Sequence, residues 1–219
     1  MWRMLSCALI LALAAFGLPG AQPALGSAKV TYIVTNTLDS GAGSLRKAIN
    51  DANASTGVAD VIQFNIDPLT DAGCNPTSGV CTIKPSSMAL PWVVDNAGLT
   101  IDGYTQPGAA YATSTTPAAL KIRLDGSLLP VDIYNVGLGM ISSNNTVRGL
   151  AINSFPSYGV YIGQVEIGGI WYGAPYTNTV VGNFIGVDVD GSTARPNGSG
   201  VGLANLATLN FIGGDAHAE

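Results

Sequence analysis

The stretch Asn145-Thr146-Val147-Arg148-Gly149-Leu150-Ala151-Ile152 decides the fold, because the chain repeats it. It aligns without gaps on Asn178-Thr179-Val180-Val181-Gly182-Asn183-Phe184-Ile185, and Asn210-Phe211-Ile212-Gly213-Gly214 begins a third copy. The copies start at positions 145, 178 and 210, so the period is 33 and then 32 residues. The shared frame comprises Asn145, Val147, Gly149 and Ile152, then Asn178, Val180, Gly182 and Ile185, then Asn210, Ile212 and Gly214. A fixed period of this size indicates stacked, similar structural units.

Stacking explains how so short a frame can build a core. A strand of four or five residues cannot bury an apolar face alone, but parallel copies spaced about 4.8 Å apart can. The expected inward ladders are formed by Val147, Val180 and Ile212 and by Ile152 and Ile185. We expect Asn145, Asn178 and Asn210 to stack at a corner, with their side-chain amides bonded to the turn and to the adjacent copy.

The repeats extend the same architecture over most of the chain. A Gly-led apolar run precedes each copy, at residues 137–141, 159–162 and 200–203, so each period holds about two short strands. Residues 59–219 are therefore predicted to form a parallel β-helix. The sequence stops at Glu219, just after the third copy begins, and we expect the β-helix to be incomplete at that end, because an uncapped coil exposes strand edges.

Residues 29–58 are predicted to form an N-terminal cap made of a strand and a helix. Alternating apolar residues predict the strand from Lys29 to Thr35. A single apolar stripe at i, i+3, i+4 and i+7 predicts a helix from Ser44 to Ala54, with Ser44 as N-cap. Such a cap would cover the exposed end of the first coil.

The first 28 residues are typical of a signal peptide. Arg3 supplies a positive start, an apolar run extends from Leu5 to Leu18, and Gly26-Ser27-Ala28 offers small residues for cleavage. An uncleaved anchor is the alternative. We therefore expect an exported protein, secreted or displayed at the cell surface, without a membrane span after signal cleavage.

Two cysteines remain after the expected removal of Cys7 with the signal peptide. Cys74 and Cys81 bracket a segment of turn-forming residues, and in an oxidising compartment they are expected to form a disulfide. A metal site is the weaker alternative, because no nearby His or third Cys completes a ligand set.

The composition excludes one class of partner. The chain has 14 acidic and 9 basic side chains, a net charge of -5, and no Lys/Arg run. It therefore has no basic face for phosphates, and we do not expect nucleic acid as a partner.

Three segments resemble a known group of proteins. The stretch Thr37-Leu38-Asp39-Ser40-Gly41-Ala42-Gly43-Ser44-Leu45-Arg46-Lys47-Ala48-Ile49 resembles the N-terminal segment, often written Cys-Ser-Leu-Arg-Glu-Ala, of bacterial secreted right-handed parallel β-helix repeat proteins. The segments from Leu99 to Gly108 and from Asn183 to Asp188 look like later hallmarks of that group. Gly43 stands where the signature has Cys, and Lys47 where it has Glu.

The resemblance implies an all-β fold, a right-handed parallel β-helix of the pectate-lyase-like kind with an N-terminal capping strand and helix. Polysaccharide lyases and hydrolases use this fold, with clustered carboxylates that bind Ca²⁺ or act as acid and base. The candidates here are Asp102, Asp125, Asp188, Asp190 and Arg195. Ordinary turn chemistry is the preferred explanation for these residues and catalysis the alternative, because Asp is common before Gly in turns.

No cofactor or metal site is predicted with a complete ligand set. Asp188-Val189-Asp190-Gly191-Ser192 supplies carboxylates that could bind Ca²⁺, but it lacks the later Glu that a calcium loop uses. The single His217 has no visible partner for a catalytic triad.

Aromatic residues provide a different candidate site. Residues 166–176 lengthen one connection between the repeats, and insertions in solenoids map to surface loops. We expect Trp171, Tyr172 and Tyr176 to offer ring faces to a sugar or another partner, unless the insertion folds back over the coil.

These observations predict an exported or cell-surface, non-catalytic β-helix protein that acts as a scaffold, an adhesin or a glycan-binding protein. A polysaccharide or cell-surface glycan is the expected partner, and the oligomeric state is left open. The alternative is a polysaccharide lyase or glycoside hydrolase on the same fold. An enzyme would need two or more carboxylates converging on one exposed face, whereas a scaffold leaves them scattered at turns.

Overall fold

The computed structural model describes residues 29–214, and this part of the chain is rich in β-strands with one α-helix. The expected signal peptide and His217 lie outside the described residues. The helix α1 spans Leu45–Ala54, and a single 3-10 turn spans Gly103–Thr105. The strands are β1 (Thr31–Val34), β2 (Asp60–Phe64), β3 (Cys81–Ile83), β4 (Leu99–Asp102), β5 (Ile122–Asp125), β6 (Leu138–Met140), β7 (Thr146–Arg148), β8 (Leu150–Asn153), β9 (Tyr158–Gly163), β10 (Val165–Ile167), β11 (Ile170–Tyr172), β12 (Thr179–Val181), β13 (Phe184–Ile185), β14 (Ser199–Ala204) and β15 (Phe211–Ile212).

Three parallel sheets contain all of these strands except one hairpin. The first sheet has the order β1-β2-β4-β7-β12-β15, the second β3-β5-β8-β13, and the third β6-β9-β14. From β7 onward the chain visits the first, second and third sheets in turn and then repeats the cycle. The exception is β10 and β11, which pair with each other in antiparallel fashion. The parallel, β-rich architecture agrees with the expected all-β class.

The repeat frame sets the register of the first sheet. Val180 pairs with Val147 on one side and with Ile212 on the other, so these side chains occupy one row. Ile101 pairs with Val147 and extends the row by one strand. Val147 and Val180 are 1% and 2% exposed, whereas Ile212, on the last described strand, is 38% exposed. In the second sheet, Ile185 pairs with Ile152 in the same way.

The repeated asparagines form a hydrogen-bonded ladder beside this row. Asn145 Nδ2 donates to Asn178 Oδ1 at 2.8 Å, and Asn178 Nδ2 donates to Asn210 Oδ1 at 3.0 Å. The same oxygens accept the backbone N–H groups of Asn145 and Asn178, each at 2.9 Å. Leu99 N donates to Asn145 Oδ1 at 2.9 Å, so the ladder reaches a strand that has no asparagine at this position. Each side chain thus satisfies a buried backbone donor of the neighbouring strand.

Helix α1 begins and ends close to the positions that the sequence predicts. Ser44 is the N-cap, and its hydroxyl accepts the N–H of Lys47. The apolar stripe is buried in the shared core and consists of Leu45, Ala48, Ile49 and Ala52. The predicted strand over residues 29–35 is β1, which is shorter by two residues at the start and one at the end. It pairs in parallel with β2 and is therefore also the outermost strand of the first sheet.

One arginine joins α1 to a distant loop. Arg46 makes a 2.6 Å ion pair with Asp39 and donates to the carbonyls of Met88 and Ala89, each at 2.7 Å. Asp39 also accepts hydrogen bonds from Ser86 and Ser87. Burial raises the pKa of Asp39, but hydrogen bonds from Arg46 and Ser86 outweigh it and hold this pKa at about 2. Asp39 and Arg46 therefore connect the start of α1 to the loop of residues 86–89.

The predicted disulfide is confirmed between Cys74 and Cys81. Cys81 begins β3 and is fully buried, whereas the turn between the two cysteines is exposed. Within that turn, Asn75 Oδ1 accepts the N–H groups of Thr77 and Ser78. The bond therefore fixes an exposed turn to the edge of the second sheet.

We predict that Asn178→Ala lowers the free energy of unfolding by about 2 to 4 kcal/mol, because it leaves the buried N–H and amide of Asn145 without their acceptor. Chemical denaturation monitored by circular dichroism measures the change. Asn135→Ala is the control, since Asn135 makes a more exposed bond to the Pro130 carbonyl and should cost less than about 1 kcal/mol. Equal losses in the two variants would contradict the ladder.

We predict that Asp39→Asn removes about 1 to 2 kcal/mol of stability at neutral pH, which is less than the full pKa shift would give, because solvent screens this partly exposed ion pair. The folded-state pKa of Asp39 is depressed to about 2, so its contribution is complete above the ordinary carboxyl pKa and is lost as the pH falls toward 2. Urea denaturation of both proteins between about pH 7 and pH 2 should show curves that converge in acid. A difference that stays constant with pH would contradict the assigned role of the carboxylate.

Candidate functional site

The outer face of the third sheet carries one tyrosine between two glycines. Tyr161 on β9 pairs with Gly139 on β6 and with Gly202 on β14. The neighbouring row consists of Leu138, Val160 and Val201, and its first two members are buried in the core. Because successive side chains in a strand point to opposite faces, the row of Tyr161 points outward. The two glycines leave bare backbone on either side of it.

Neighbouring aromatic rings occupy that bare backbone. A Cβ on Gly139 would lie 2.2 Å from Cε3 of Trp92, and one on Gly202 would lie 2.6 Å from Cε1 of Tyr158. Glycine is therefore required at both positions to let a ring lie against the sheet. Trp92, Tyr161 and Tyr158 together form an aromatic strip across the three strands. Ring centroids are 5.7 Å apart for Trp92 and Tyr161 and 5.4 Å apart for Tyr158 and Tyr161.

The phenol groups beside the strip are held by the backbone. The Tyr161 hydroxyl donates to the carbonyl of Gln164 at 2.7 Å, and the Tyr134 hydroxyl donates to the carbonyl of Glu166 at 3.0 Å. Burial, together with Tyr158 and Tyr134 nearby, raises the pKa of Tyr161. Tyr161 is therefore uncharged at neutral pH, and its oxygen can still accept a hydrogen bond from a ligand.

The hairpin of β10 and β11 forms one wall beside the strip. Gly168 and Gly169 form its two-residue turn with φ of 61° and 81°, a conformation that glycine adopts without strain. Glu166 and Trp171 are directly paired across the hairpin, so they share one face. Trp171 is 52% exposed and lies at the groove.

The strip and the hairpin line a groove of about 570 Å³. Polar groups at its surface come from Ser157, Gln164, Ser199 and Asn205. Of the described residues that line it, Glu166 is the only one with a charged side chain. Aromatic rings combined with a few amide and hydroxyl groups are the chemistry that binds sugars, since a ring packs against C–H groups while the polar groups bond hydroxyls.

Only part of this groove was predicted from the sequence. Of the three expected aromatic residues, Trp171 lines the groove, whereas Tyr172 and Tyr176 are exposed elsewhere. Sequence reasoning missed Trp92, Tyr134, Tyr158 and Tyr161. A signal was present for Tyr161, because aligning the three Gly-led runs places it between Gly139 and Gly202.

Asp188 is bound by two arginines. Arg123 contacts it at 3.0 Å and Arg195 at 2.5 Å. Burial raises the pKa of Asp188, but the N–H of Val189 and the two guanidinium groups outweigh it and lower this pKa. The structure thus brings together two residues that the sequence suggested for catalysis, Asp188 and Arg195, and adds Arg123.

The other candidate carboxylates also have local partners. Asp125 contacts Lys84 at 3.3 Å and accepts the N–H of Ser127, and Asp102 pairs with Arg148 at 2.9 Å. Asp190 accepts the N–H groups of Ser192 and Thr193 within an exposed turn.

The lowered pKa values of Asp125 and Asp190 do not fit a proton donor. Burial raises the pKa of Asp125, but Ser127 and Lys84 outweigh it and lower this pKa. The Thr193 hydrogen bonds lower the pKa of Asp190. A general acid for glycoside cleavage needs a raised pKa, so these environments suit structural ion pairs and turns better than acid catalysis.

Comparisons with protein-family models, curated proteins and solved structures found no match to this chain. Within residues 29–214, no three His, Cys, Asp or Glu side chains are grouped so that they could hold a metal ion. In the same range, no helix has both the length and the apolar character needed to cross a bilayer.

We predict that Gly139→Ala displaces the Trp92 ring, because the added methyl would occupy the position of the indole. The near-ultraviolet circular dichroism and the tryptophan fluorescence maximum should both change. Gly200→Ala is the matched control, since Gly200, like Gly139, has no positive φ, but its added Cβ would meet only Ile185 Cγ2 at 3.9 Å, so the tryptophan spectra should be unchanged. Identical spectra for Gly139→Ala and the unmodified protein would contradict this packing.

Proposed function

We propose that this chain is an exported, non-catalytic right-handed parallel β-helix protein that binds glycans through the groove of Trp92, Tyr161, Tyr158 and Trp171. We also propose that the chain belongs to the bacterial secreted β-helix repeat proteins, which its sequence resembles. The observation that supports it most is the aromatic strip, in which the Trp92 and Tyr158 rings lie against Gly139 and Gly202 on either side of Tyr161.

The β-helix interpretation draws on the order in which the sheets are used. From β7 onward the chain contributes strands to the first, second and third sheets in turn, and neighbouring strands in each of these sheets are parallel. A continuous coil is the simplest path that satisfies both features. Parallel crossovers are right-handed in nearly all known cases, which favours a right-handed coil.

Export is supported by two independent features. The disulfide of Cys74 and Cys81 is typical of an oxidising compartment. The composition of residues 1–28 is typical of a signal peptide. Together they favour a secreted or cell-surface protein.

Binding is favoured over catalysis by the arrangement of the carboxylates. Asp188 and Asp125 are neutralised by cations, and Asp190 caps a turn. Among the described residues that line the groove, Glu166 is the one carboxylate, whereas the usual glycosidase mechanism uses a pair. A rigid stack of strands with an aromatic groove suits an adhesin or a glycan-binding scaffold.

Replacing one exposed ring tests the proposal. We predict that Trp171→Ala weakens binding to a soluble oligosaccharide by about tenfold or more, since aromatic residues at the centre of a binding site often contribute over 1 kcal/mol. Isothermal titration calorimetry against a panel of soluble oligosaccharides provides the measurement. Trp171 lies on an exposed hairpin, so its removal should leave the melting temperature nearly unchanged.

The neighbouring Tyr172 supplies a matched control. It is an exposed aromatic residue on the same strand, but successive side chains point to opposite faces and it does not line the groove. Tyr172→Ala should keep the affinity of the unmodified protein. The proposal fails if no oligosaccharide binds, or if the two variants lose affinity equally.

A further inference from the structure

We infer that the groove selects a single, uncharged glycan chain and discriminates against both polyuronates and the flat surfaces of crystalline polysaccharides. This inference rests on the proposed glycan binding and adds the class of glycan. It is carried by the charge of the groove lining and by the relative tilts of the aromatic rings.

The charge of the groove opposes acidic sugars. Glu166 is exposed at the wall formed by β10 and β11, and none of the described lining residues is Lys or Arg. Proteins bind carboxylates with guanidinium or ammonium groups, and here those groups are absent from the described lining. The net charge of -5 adds a long-range repulsion of polyanions. A polyuronate would thus bring one carboxylate per sugar toward a carboxylate of the protein.

The neutral part of the lining matches sugar hydroxyls. Ser157 and Ser199 offer hydroxyl groups, and Gln164 and Asn205 offer amides that both donate and accept. A glycan hydroxyl is likewise both donor and acceptor, so every such pairing can be satisfied. An uncharged chain therefore gains hydrogen bonds without the cost of burying an unpaired charge.

The ring tilts oppose a flat ligand. The Trp92 and Tyr161 planes are 88° apart, and the Tyr158 and Tyr161 planes are 56° apart. Rings tilted so differently cannot all lie against one planar crystal face. Trp171 stands on the wall of the groove and further restricts the approach of an extended surface. A single chain can instead contact each ring with a different sugar.

The charge arm of the test compares two soluble ligands of equal length. Calorimetry at low ionic strength should show that a β-1,4-gluco-oligosaccharide hexamer binds the full chain at least tenfold more tightly than an oligogalacturonate hexamer. In Glu166→Gln, the affinity for the oligogalacturonate relative to that for the neutral hexamer should rise severalfold, because one carboxylate of the lining is removed. Raising NaCl from about 20 mM to about 500 mM should reduce the affinity ratio of the two hexamers for the unmodified protein, because salt screens exposed charges.

Asp67→Asn is the matched control for charge. Asp67 lies outside the groove lining and caps a loop turn through the Leu69 N–H, so its replacement removes one negative charge at a different place. This variant should keep the affinity ratio of the neutral hexamer to the oligogalacturonate that the unmodified protein shows. An equal gain for the oligogalacturonate in Asp67→Asn and Glu166→Gln would overturn the role of Glu166.

The surface arm uses insoluble ligands. Microcrystalline cellulose and crystalline chitin should retain none of the protein in a sedimentation assay, under conditions where the soluble hexamer binds. Retention on either solid that is abolished by Trp171→Ala would overturn the exclusion of crystalline surfaces.

The outcomes separate this inference from the proposed function. Binding of the oligogalacturonate as tight as that of the neutral hexamer, and sensitive to Trp171→Ala, would overturn the selectivity while supporting a glycan groove. Failure of both hexamers and both solids to bind would overturn the glycan groove itself.

Discussion

Hydrogen bonding between stacked asparagines is the interaction on which the rest of the described structure depends. Each strand of the first sheet has only two to five residues, so its apolar face is buried only if neighbouring strands share one register. The amides of Asn145, Asn178 and Asn210 fix that register. The oxygens of Asn178 and Asn210 each accept from the backbone and side chain of the preceding copy, and the oxygen of Asn145 accepts the N–H of Leu99. A shift by one residue would break these bonds and turn the valine row outward.

The features that the sequence predicts well are local or periodic. The spacing of the Asn frame indicated which residues are neighbours, since a stacked architecture places equivalent positions of successive repeats side by side. The helix over Leu45–Ala54 follows from one amphipathic stripe and a serine cap, and the disulfide follows from two cysteines around a turn. Each of these needs information from only a short segment or from one repeated pattern.

The groove could not be predicted in the same way, because its parts come from separate segments. Trp92 precedes β4, Tyr158 and Tyr161 are on β9, and Trp171 is on a hairpin that the sequence suggested only as an insertion. Aligning the Gly-led runs gives the register of Tyr161 in the third sheet, but no repeated pattern indicates that Trp92 or the hairpin lies beside it. The ion pair of Asp188 was missed for a related reason, since its partner Arg123 lies on a strand 65 residues earlier.

The fold and the site are thus linked through backbone stacking. The register that places valine over valine in the first sheet also brings glycines to both sides of Tyr161 in the third, and the aromatic strip depends on that bare backbone. The most direct measurement is a nuclear Overhauser experiment on protein with labelled Ile, Leu and Val methyl groups. Cross-peaks should connect Val147 to both Ile101 and Val180, whereas their absence, with Val147 contacting other strands instead, would contradict the stacked register.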